Sequence, residues 1–168
     1  AVEDIAIMRA IPTMKVLAVA DPGEVIPAVR AAVAAEGPVY VRIPRAPYEV
    51  IHEDEAAVDY EIGKAEVLRD GSDVTIMAVG MMVWDSLQAA ERLEAEGISA
   101  RVINVRSVKP IDRDAIVAAA EETGAIVTAE DHNRYGGLGS AVAETVVATT
   151  PVPMEQVALN DTFAESGD

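Results

Sequence analysis

Short apolar runs alternate with amphipathic stretches along this chain, and the alternation is clearest from residue 65 onward. Strands are predicted at 74–79, 100–105, 125–129 and 156–159. Each of the first three is followed by a stretch with helical spacing, the last of these covering 140–149. Strands that alternate with helices form right-handed βαβ units. The pattern therefore predicts an α/β fold with a parallel sheet that helices cover on both faces.

The first 45 residues carry a smaller set of the same elements. Their predicted elements are a helix over 2–9, a strand over 14–19, a second helix and a strand over 39–43. Asp21, Pro22 and Glu24 resemble a capping box at the start of the second helix, and Gly37 ends it. Two strands and two helices are too few to bury both faces of a parallel pair. We expect this segment to be the remnant of a larger domain or to pack against another chain.

Residues 46–64 are predicted to be a polar connector on the surface, with a strand near 60–62 and His52 as an ordinary surface residue. We therefore divide the chain into three parts. They are a partial α/β domain over 1–45, the connector over 46–64 and a C-terminal α/β domain over 65–168.

The composition excludes several classes of protein. The chain has no run of eighteen apolar residues and no basic segment that leads into an apolar one, so the sequence shows neither a membrane span nor a secretory signal. It has no Cys, which rules out disulfides, zinc held by Cys and thiol catalysis. The lack of Cys fits a reducing compartment, and we expect a cytoplasmic protein.

Acidic residues outnumber basic ones by 29 to 13, which gives a net charge of −16. Such a surface repels phosphate backbones and argues against a nucleic-acid partner. Two explanations of the excess stay open: an ordinary soluble surface with acidic helix faces, or an adaptation to high salt, where screening removes the self-repulsion.

Residues 129–144, AEDHNRYGGLGSAVAE, carry the most specific pattern of the chain. An apolar strand is followed by a polar cluster, a glycine loop and a helix, which predicts hydrogen-bonding side chains at the carboxyl end of a parallel strand. Gly136, Gly137 and Gly139 predict a tight turn. Gly137 and Gly139 also match two positions of a dinucleotide fingerprint, but Val142 stands at the third. We prefer a turn without ligand, and a nucleotide-binding Rossmann-like module is the alternative.

Several segments resemble the transketolase family, in particular the C-terminal subunit of split transketolases. The matching stretches are AVEDIAIMRAIPTM, GPVYVRIPR, VINVRSVKPID, AEDHNRYGGLGSAVAE and NDTFAESG. Two related groups share this arrangement: 1-deoxyxylulose-5-phosphate synthases and the β-subunits of 2-oxo-acid dehydrogenases. The junction Ile43-Pro44-Arg45-Ala46-Pro47 is closer to the split transketolases than to the synthases.

The resemblance implies a three-layer parallel-sheet transketolase C-terminal domain preceded by part of a pyrimidine-binding domain. It implies transfer of a two-carbon ketol unit between phosphorylated sugars, with thiamine diphosphate and a divalent cation such as Mg²⁺ as cofactors. The implied partners are an N-terminal diphosphate-binding subunit and a second copy, which contacts the C-terminal domain in a dimer. The family's catalytic and cofactor-binding residues of this subunit lie upstream of Ala1. We therefore expect no catalytic residue, cofactor ligand or metal ligand in this chain, and no activity of the chain alone.

The resemblance also assigns roles to single residues. Arg45 corresponds to the family's arginine that binds the sugar phosphate, and a guanidinium suits that role because its planar fork pairs with phosphate oxygens. For Arg42 we expect a salt bridge. His132 invites interpretation as a general base. Since the family's C-terminal domain carries no chemistry, we instead expect a hydrogen-bonded structural histidine at a domain or subunit boundary. Asp112 is expected to cap a helix.

Overall fold

The computed structural model describes residues 2–45, 47 and 49–164. In chain order the elements are α1 (Asp4–Ala10), β1 (Lys15–Ala18), α2 (Pro22–Ala34), β2 (Val39–Arg42), a 3-10 helix (Glu55–Ala57), β3 (Glu66–Arg69), β4 (Val74–Ala78), α3 (Met82–Ala95), β5 (Ala100–Asn104), β6 (Ser107–Lys109), α4 (Arg113–Thr123), β7 (Ile126–Asn133), α5 (Leu138–Ala148) and β8 (Met154–Leu159). None of the helices in this part of the chain is long and apolar enough to cross a bilayer.

The larger sheet has five strands in the order β3-β5-β4-β7-β8. β4 pairs in parallel with β5 and β7, and β7 pairs in parallel with β8. One buried apolar cluster lies between this sheet and α4 and α5, and a second lies under α3 on the opposite face. The predicted α/β class, with a parallel sheet covered by helices on both faces, is confirmed.

The edge strand β3 pairs antiparallel with β5 and was not predicted. The strand expected near 60–62 is wrong, because the chain has no regular element there. Tyr60 instead turns inward, where its hydroxyl donates to the Arg106 carbonyl at 3.0 Å and its ring lies under the Arg106 guanidinium. This packing against a residue far along the chain, and not strand pairing, places the aromatic side chain.

The smaller sheet has three strands in the order β2-β1-β6. β1 pairs in parallel with β2 and antiparallel with β6, which lies beyond the connector and was also not predicted. Val16 and Ala18 of β1 belong to the same buried cluster as Ile116 of α4 and Val142 of α5. The first segment of the chain therefore packs against the rest through shared strand pairing and a shared core.

The predicted helix caps at Asp21 and Asp112 are confirmed, but the capping box with Glu24 is not. The Asp21 side chain accepts from the Glu24 N–H at 3.1 Å at the start of α2, which continues through Pro27. The Glu24 carboxylate does not return to the Asp21 N–H as in a full capping box; it accepts from the Ala20 N–H at 2.7 Å. Asp112 caps α4 through the Ala115 N–H at 3.1 Å.

The boundaries around the glycine loop differ from the prediction. β7 extends to Asn133, so the polar cluster 130–133 belongs to the strand and does not form a loop at its tip. The extension is paired, since Asn133 lies opposite Leu159 and its N–H donates to the Val2 carbonyl at 2.7 Å. α5 begins at Leu138 and not at Ser140.

Candidate functional site

A groove of about 480 Å³ lies at the carboxyl end of β2, beside the ends of β4 and β7. Open α/β sheets place functional groups at this edge. The groove is lined by Val2, Asp4, Tyr40, Val41, Arg42, Ile43, Pro44, Arg45, Met81 and Asp131.

Arg45 is exposed and lines this groove three residues beyond the end of β2. Among the described residues, its guanidinium has no ion-pair or hydrogen-bond partner. Its charge is therefore available to an anion that enters the groove.

Arg42 lies in the same groove but is engaged inside the protein. Its Nη1 donates to Asp131 Oδ1 at 2.6 Å and its Nε donates to Asp4 Oδ2 at 3.0 Å, which confirms the predicted salt bridge. Burial alone would lower the pKa of Arg42, but the carboxylates of Asp131 and Asp4 outweigh it and raise the pKa. The arginine is thus held as a buried cation.

Asp4 and Tyr40 complete this group of charged and polar side chains. The Tyr40 hydroxyl donates to Asp4 Oδ2 at 2.7 Å. Burial would raise the pKa of Asp4, but the hydrogen bond from Tyr40 and the charge of Arg42 lower it overall. Burial and the hydrogen bond to Asp4 raise the pKa of Tyr40 to about 12. At neutral pH the group holds an ionised aspartate and a neutral phenol.

The glycine loop binds a carboxylate of its own chain. Glu130 Oε2 accepts from the Leu138 N–H at 2.7 Å and Oε1 accepts from the Gly139 N–H at 2.9 Å. These are the free N–H groups at the start of α5, where a nucleotide phosphate would otherwise bind. A Cβ on Gly137 would overlap the Glu130 carboxylate, so the glycine makes room for that side chain.

His132 is completely buried, with both ring nitrogens in hydrogen bonds. Nδ1 donates to the Asn133 carbonyl at 2.6 Å, so Nε2 is the acceptor and receives the Ala6 N–H at 3.3 Å. The histidine thereby joins β7 to α1. Gly136 lies at the same contact, with φ of 76° and its would-be Cβ 2.7 Å from Ala6 Cβ.

A second polar cluster was missed by the sequence analysis. His52 is not a surface residue, because Nδ1 lies 2.9 Å from Asp21 Oδ1 and Nε2 lies 3.0 Å from Glu66 Oε2. Arg106 contacts Glu66 and lies 3.4 Å from Glu24 Oε1. No local pattern predicts this cluster, since its five members come from four separate places in the chain.

The charges of this cluster are largely balanced. The hydrogen bonds to Asp21 and Glu66 outweigh burial and raise the pKa of His52 to about 10. Burial raises the pKa of Glu24, while the charge of Arg106 acts in the opposite direction. The cluster therefore brings the connector, α2 and the larger sheet together through two cationic side chains.

Glu24, His52 and Glu66 also place three potential ligand atoms within 4.8 Å of one another. A metal needs a deprotonated imidazole. Here His52, with a pKa of about 10, is an imidazolium at neutral pH, and the Arg106 guanidinium already contacts both carboxylates. The residues of this cluster do not fit a resident divalent cation, and the described part of the chain brings together no second such group.

Comparisons with known proteins agree on one family. The family described as "Transketolase, C-terminal domain" matches residues 63–168, and "Transketolase, pyrimidine binding domain" matches residues 1–50. A solved structure titled "Split gene transketolase, inactive beta4 tetramer" superposes with a TM-score of 0.93 and 46% identity, over 96% of this chain and 53% of that one.

Two curated relatives are similar along nearly the whole chain. The 6-deoxy-6-sulfo-D-fructose transketolase subunit SqwH of Clostridium sp. (strain MSTE9) is 45% identical over 165 residues, which are 98% of this chain and 51% of that protein. A 1-deoxy-D-xylulose-5-phosphate synthase of Heliobacterium modesticaldum is 42% identical over 165 residues, which are 98% of this chain and 26% of that protein.

The chain thus spans about half the length of the first relative (51%) and about a quarter of the length of the second (26%). The pyrimidine-binding match, residues 1–50, contains β1 and β2 of the smaller sheet. The C-terminal match, residues 63–168, contains all strands of the larger sheet. The chain belongs to the transketolase family, as a C-terminal domain preceded by part of a pyrimidine-binding domain.

Proposed function

We propose that this chain is a section of a transketolase subunit, which transfers a two-carbon ketol unit between phosphorylated sugars with thiamine diphosphate and a divalent cation. Arg45 binds the phosphate of the sugar in this proposal. The observation that carries it is the exposed Arg45 guanidinium, unpaired among the described residues, in a groove whose other arginine is already neutralised.

Arginine suits this role for reasons of shape and charge. Its planar guanidinium forms two parallel charged hydrogen bonds to phosphate oxygens, and it stays protonated at any physiological pH. A sulfonate offers similar oxygens, and one relative is named a 6-deoxy-6-sulfo-D-fructose transketolase subunit. The assays should therefore include phosphorylated and sulfonated sugars.

We propose that the cofactor and its cation are held outside the described residues, by a diphosphate-binding subunit and by the remainder of the pyrimidine-binding domain. Thiamine diphosphate supplies the carbanion chemistry of ketol transfer when it is bound. The residues of this chain would act on the sugar. His132, Gly136, Gly137 and Gly139 would be structural, holding α1 against the C-terminal domain through which two copies pair.

A second candidate function is that of a 1-deoxyxylulose-5-phosphate synthase section. It is favoured by the 42% identity to such a synthase. The same Arg45 would then bind the phosphate of a triose. Assay of the complete enzyme with a ketose phosphate donor and with pyruvate separates the two activities.

The test of the phosphate role is Arg45→Ala in the complete enzyme, that is, this chain within its full polypeptide together with the diphosphate-binding subunit. Loss of charged hydrogen bonding costs about 1.5 to 3 kcal/mol, so we expect the KM for a sugar phosphate to rise about tenfold to a hundredfold. The KM for an unphosphorylated donor should stay constant. Arg30→Ala, at an exposed position outside the groove, is the control. An unchanged KM for the sugar phosphate removes Arg45 from the site.

A further inference from the structure

We infer that Asp131 and Arg42 are positioning residues for Arg45, an inference that rests on the proposed phosphate site. The ion-pair anchor, formed by Asp4, Tyr40, Arg42 and Asp131, fixes the end of β2 that leads into Arg45. It also keeps the Asp131 carboxylate occupied, so that this carboxylate does not compete with the substrate anion for Arg45.

The first observation is that Arg42 donates two hydrogen bonds to Asp131 of β7. Nη1 donates to Asp131 Oδ1 at 2.6 Å and Nη2 donates to the Asp131 carbonyl at 3.1 Å. Nε binds Asp4 Oδ2, and both side chains are about nine-tenths buried, with exposures of 10% for Arg42 and 11% for Asp4. Breaking one partner of a buried ion pair leaves an uncompensated charge, so the anchor is strongly held once formed.

The second step is the position of β2 in its sheet. In the order β2-β1-β6, β2 is an edge strand with β1 as its neighbour. Beyond Arg42 the chain leaves the sheet and passes through Pro44 to Arg45. The contact with Asp131 ties this edge to the five-stranded sheet, since Asp131 lies in β7. The place of the Arg45 backbone therefore depends on a residue of the other sheet.

The third step is the charge balance of the groove. Asp131 is the more exposed of the two anchor carboxylates, at 27%, and it lines the same groove as Arg45. Without Arg42 beside it, this carboxylate would be an internal anion within the groove. Its pairing with Arg42 leaves Arg45 as a cation for an external anion.

Gly80 lies beside the ion pair of Arg42 and Asp131. It follows β4 with φ of 61°, and a Cβ there would lie 3.4 Å from Asp131 Oδ1 and 3.5 Å from Arg42 Nη1. A glycine takes this left-handed conformation without strain. The end of β4 therefore lies directly beside the contact between β2 and β7.

The test is a double-mutant cycle between Asp131→Asn and Arg45→Ala in the complete enzyme. Asparagine keeps the size of the side chain and removes its charge. With Arg45 present, Asp131→Asn weakens the tie between β2 and β7 and also removes the carboxylate that could compete for Arg45. We expect the loss of the tie to dominate and to raise the KM for a sugar phosphate at least threefold, with kcat and the KM for an unphosphorylated donor unchanged. With Arg45→Ala, the same change should add nothing. Glu144→Gln, which removes an exposed carboxylate outside the groove, is the matched control.

Arg42→Lys serves as a second variant, because lysine keeps the charge but cannot make the three hydrogen bonds described above. We expect it also to raise the KM for a sugar phosphate only when Arg45 is present. If Asp131→Asn and Arg42→Lys raise the KM equally with and without Arg45, or not at all, the positioning role is overturned while the phosphate site stands. If Arg45→Ala alone leaves the KM unchanged, the phosphate site itself is overturned, and the inference with it. Thermal unfolding of each variant identifies any that is not folded.

Discussion

Buried charged side chains connect separate parts of this chain through ion pairs. Asp21, His52, Glu66 and Arg106 form a chain of ion pairs from α2 through the connector to the larger sheet. A buried charge is tolerated only when it is paired and hydrogen bonded. Each of these side chains therefore constrains the others, and the protonation of His52 becomes part of the folding free energy.

The first prediction at this scale concerns pH. The pKa of His52 is raised from 6.5 to about 10 by its hydrogen bonds to Asp21 and Glu66. A raised pKa means that the folded state holds the proton more tightly than the unfolded state. The stabilisation is full below pH 6.5 and is lost as the pH rises towards about 10. We expect the free energy of unfolding in urea to fall across this interval.

The matched variant is His52→Gln, which cannot carry a proton. Its free energy of unfolding should be lower than that of the parent near pH 6.5 and should change less as the pH rises to about 10. Parallel pH profiles for the two proteins, followed by circular dichroism, would show that His52 is not a source of this dependence.

At the scale of elements, the start of α5 depends on a side chain from the preceding strand. Helices leave their first N–H groups without partners inside the helix. Asp21 and Asp112 cap α2 and α4 from the neighbouring position. In α5 the acceptor is Glu130, eight and nine residues before the N–H groups of Leu138 and Gly139. Gly137 allows the Glu130 side chain to reach these N–H groups, because a Cβ at this position would overlap the carboxylate.

We expect Glu130→Ala to lower the free energy of unfolding by about 1 to 3 kcal/mol, because two buried N–H groups lose their acceptor. Glu130→Gln should cost less, since its amide oxygen still accepts from one of the two N–H groups. Glu144→Ala, on the exposed side of the same helix, is the control and should cost less than about 1 kcal/mol. Equal losses for Glu130→Ala and Glu144→Ala would contradict the capping role.

At the scale of the whole molecule, two sheets share one apolar core and leave a groove between their strand ends. The groove offers one exposed guanidinium, and the described residues offer no fitting site for a divalent cation. The proposed function accordingly divides the labour between this chain and a diphosphate-binding subunit.

We therefore expect the purified protein to show no ketol transfer when supplied with thiamine diphosphate and Mg²⁺ alone. Activity should appear only when the remainder of the pyrimidine-binding domain and the diphosphate-binding subunit are both supplied, and it should saturate as the two subunits reach equal amounts. The control is that subunit without this protein. Ketol transfer by either one unaided would contradict the proposed division.

Much of the fold can be predicted from local signals, namely the spacing of apolar residues and the identity of capping residues. The strand at 74–79, the α3 helix and the caps at Asp21 and Asp112 depend on apolar spacing and on neighbours a few residues away. For the site, Arg45 and the Arg42 salt bridge could be predicted, the first through a family resemblance. The salt bridge is confirmed, and the phosphate role of Arg45 stays a prediction.

The remaining features were decided by tertiary structure. β3 and β6 are short, and their pairing partners lie far along the chain. His52 looked like a surface residue because Asp21 and Glu66 are 31 and 14 residues away from it. Local sequence sets which backbone conformations are favoured. Only folding brings distant charges within a few ångströms, and at that distance burial makes their pairing obligatory.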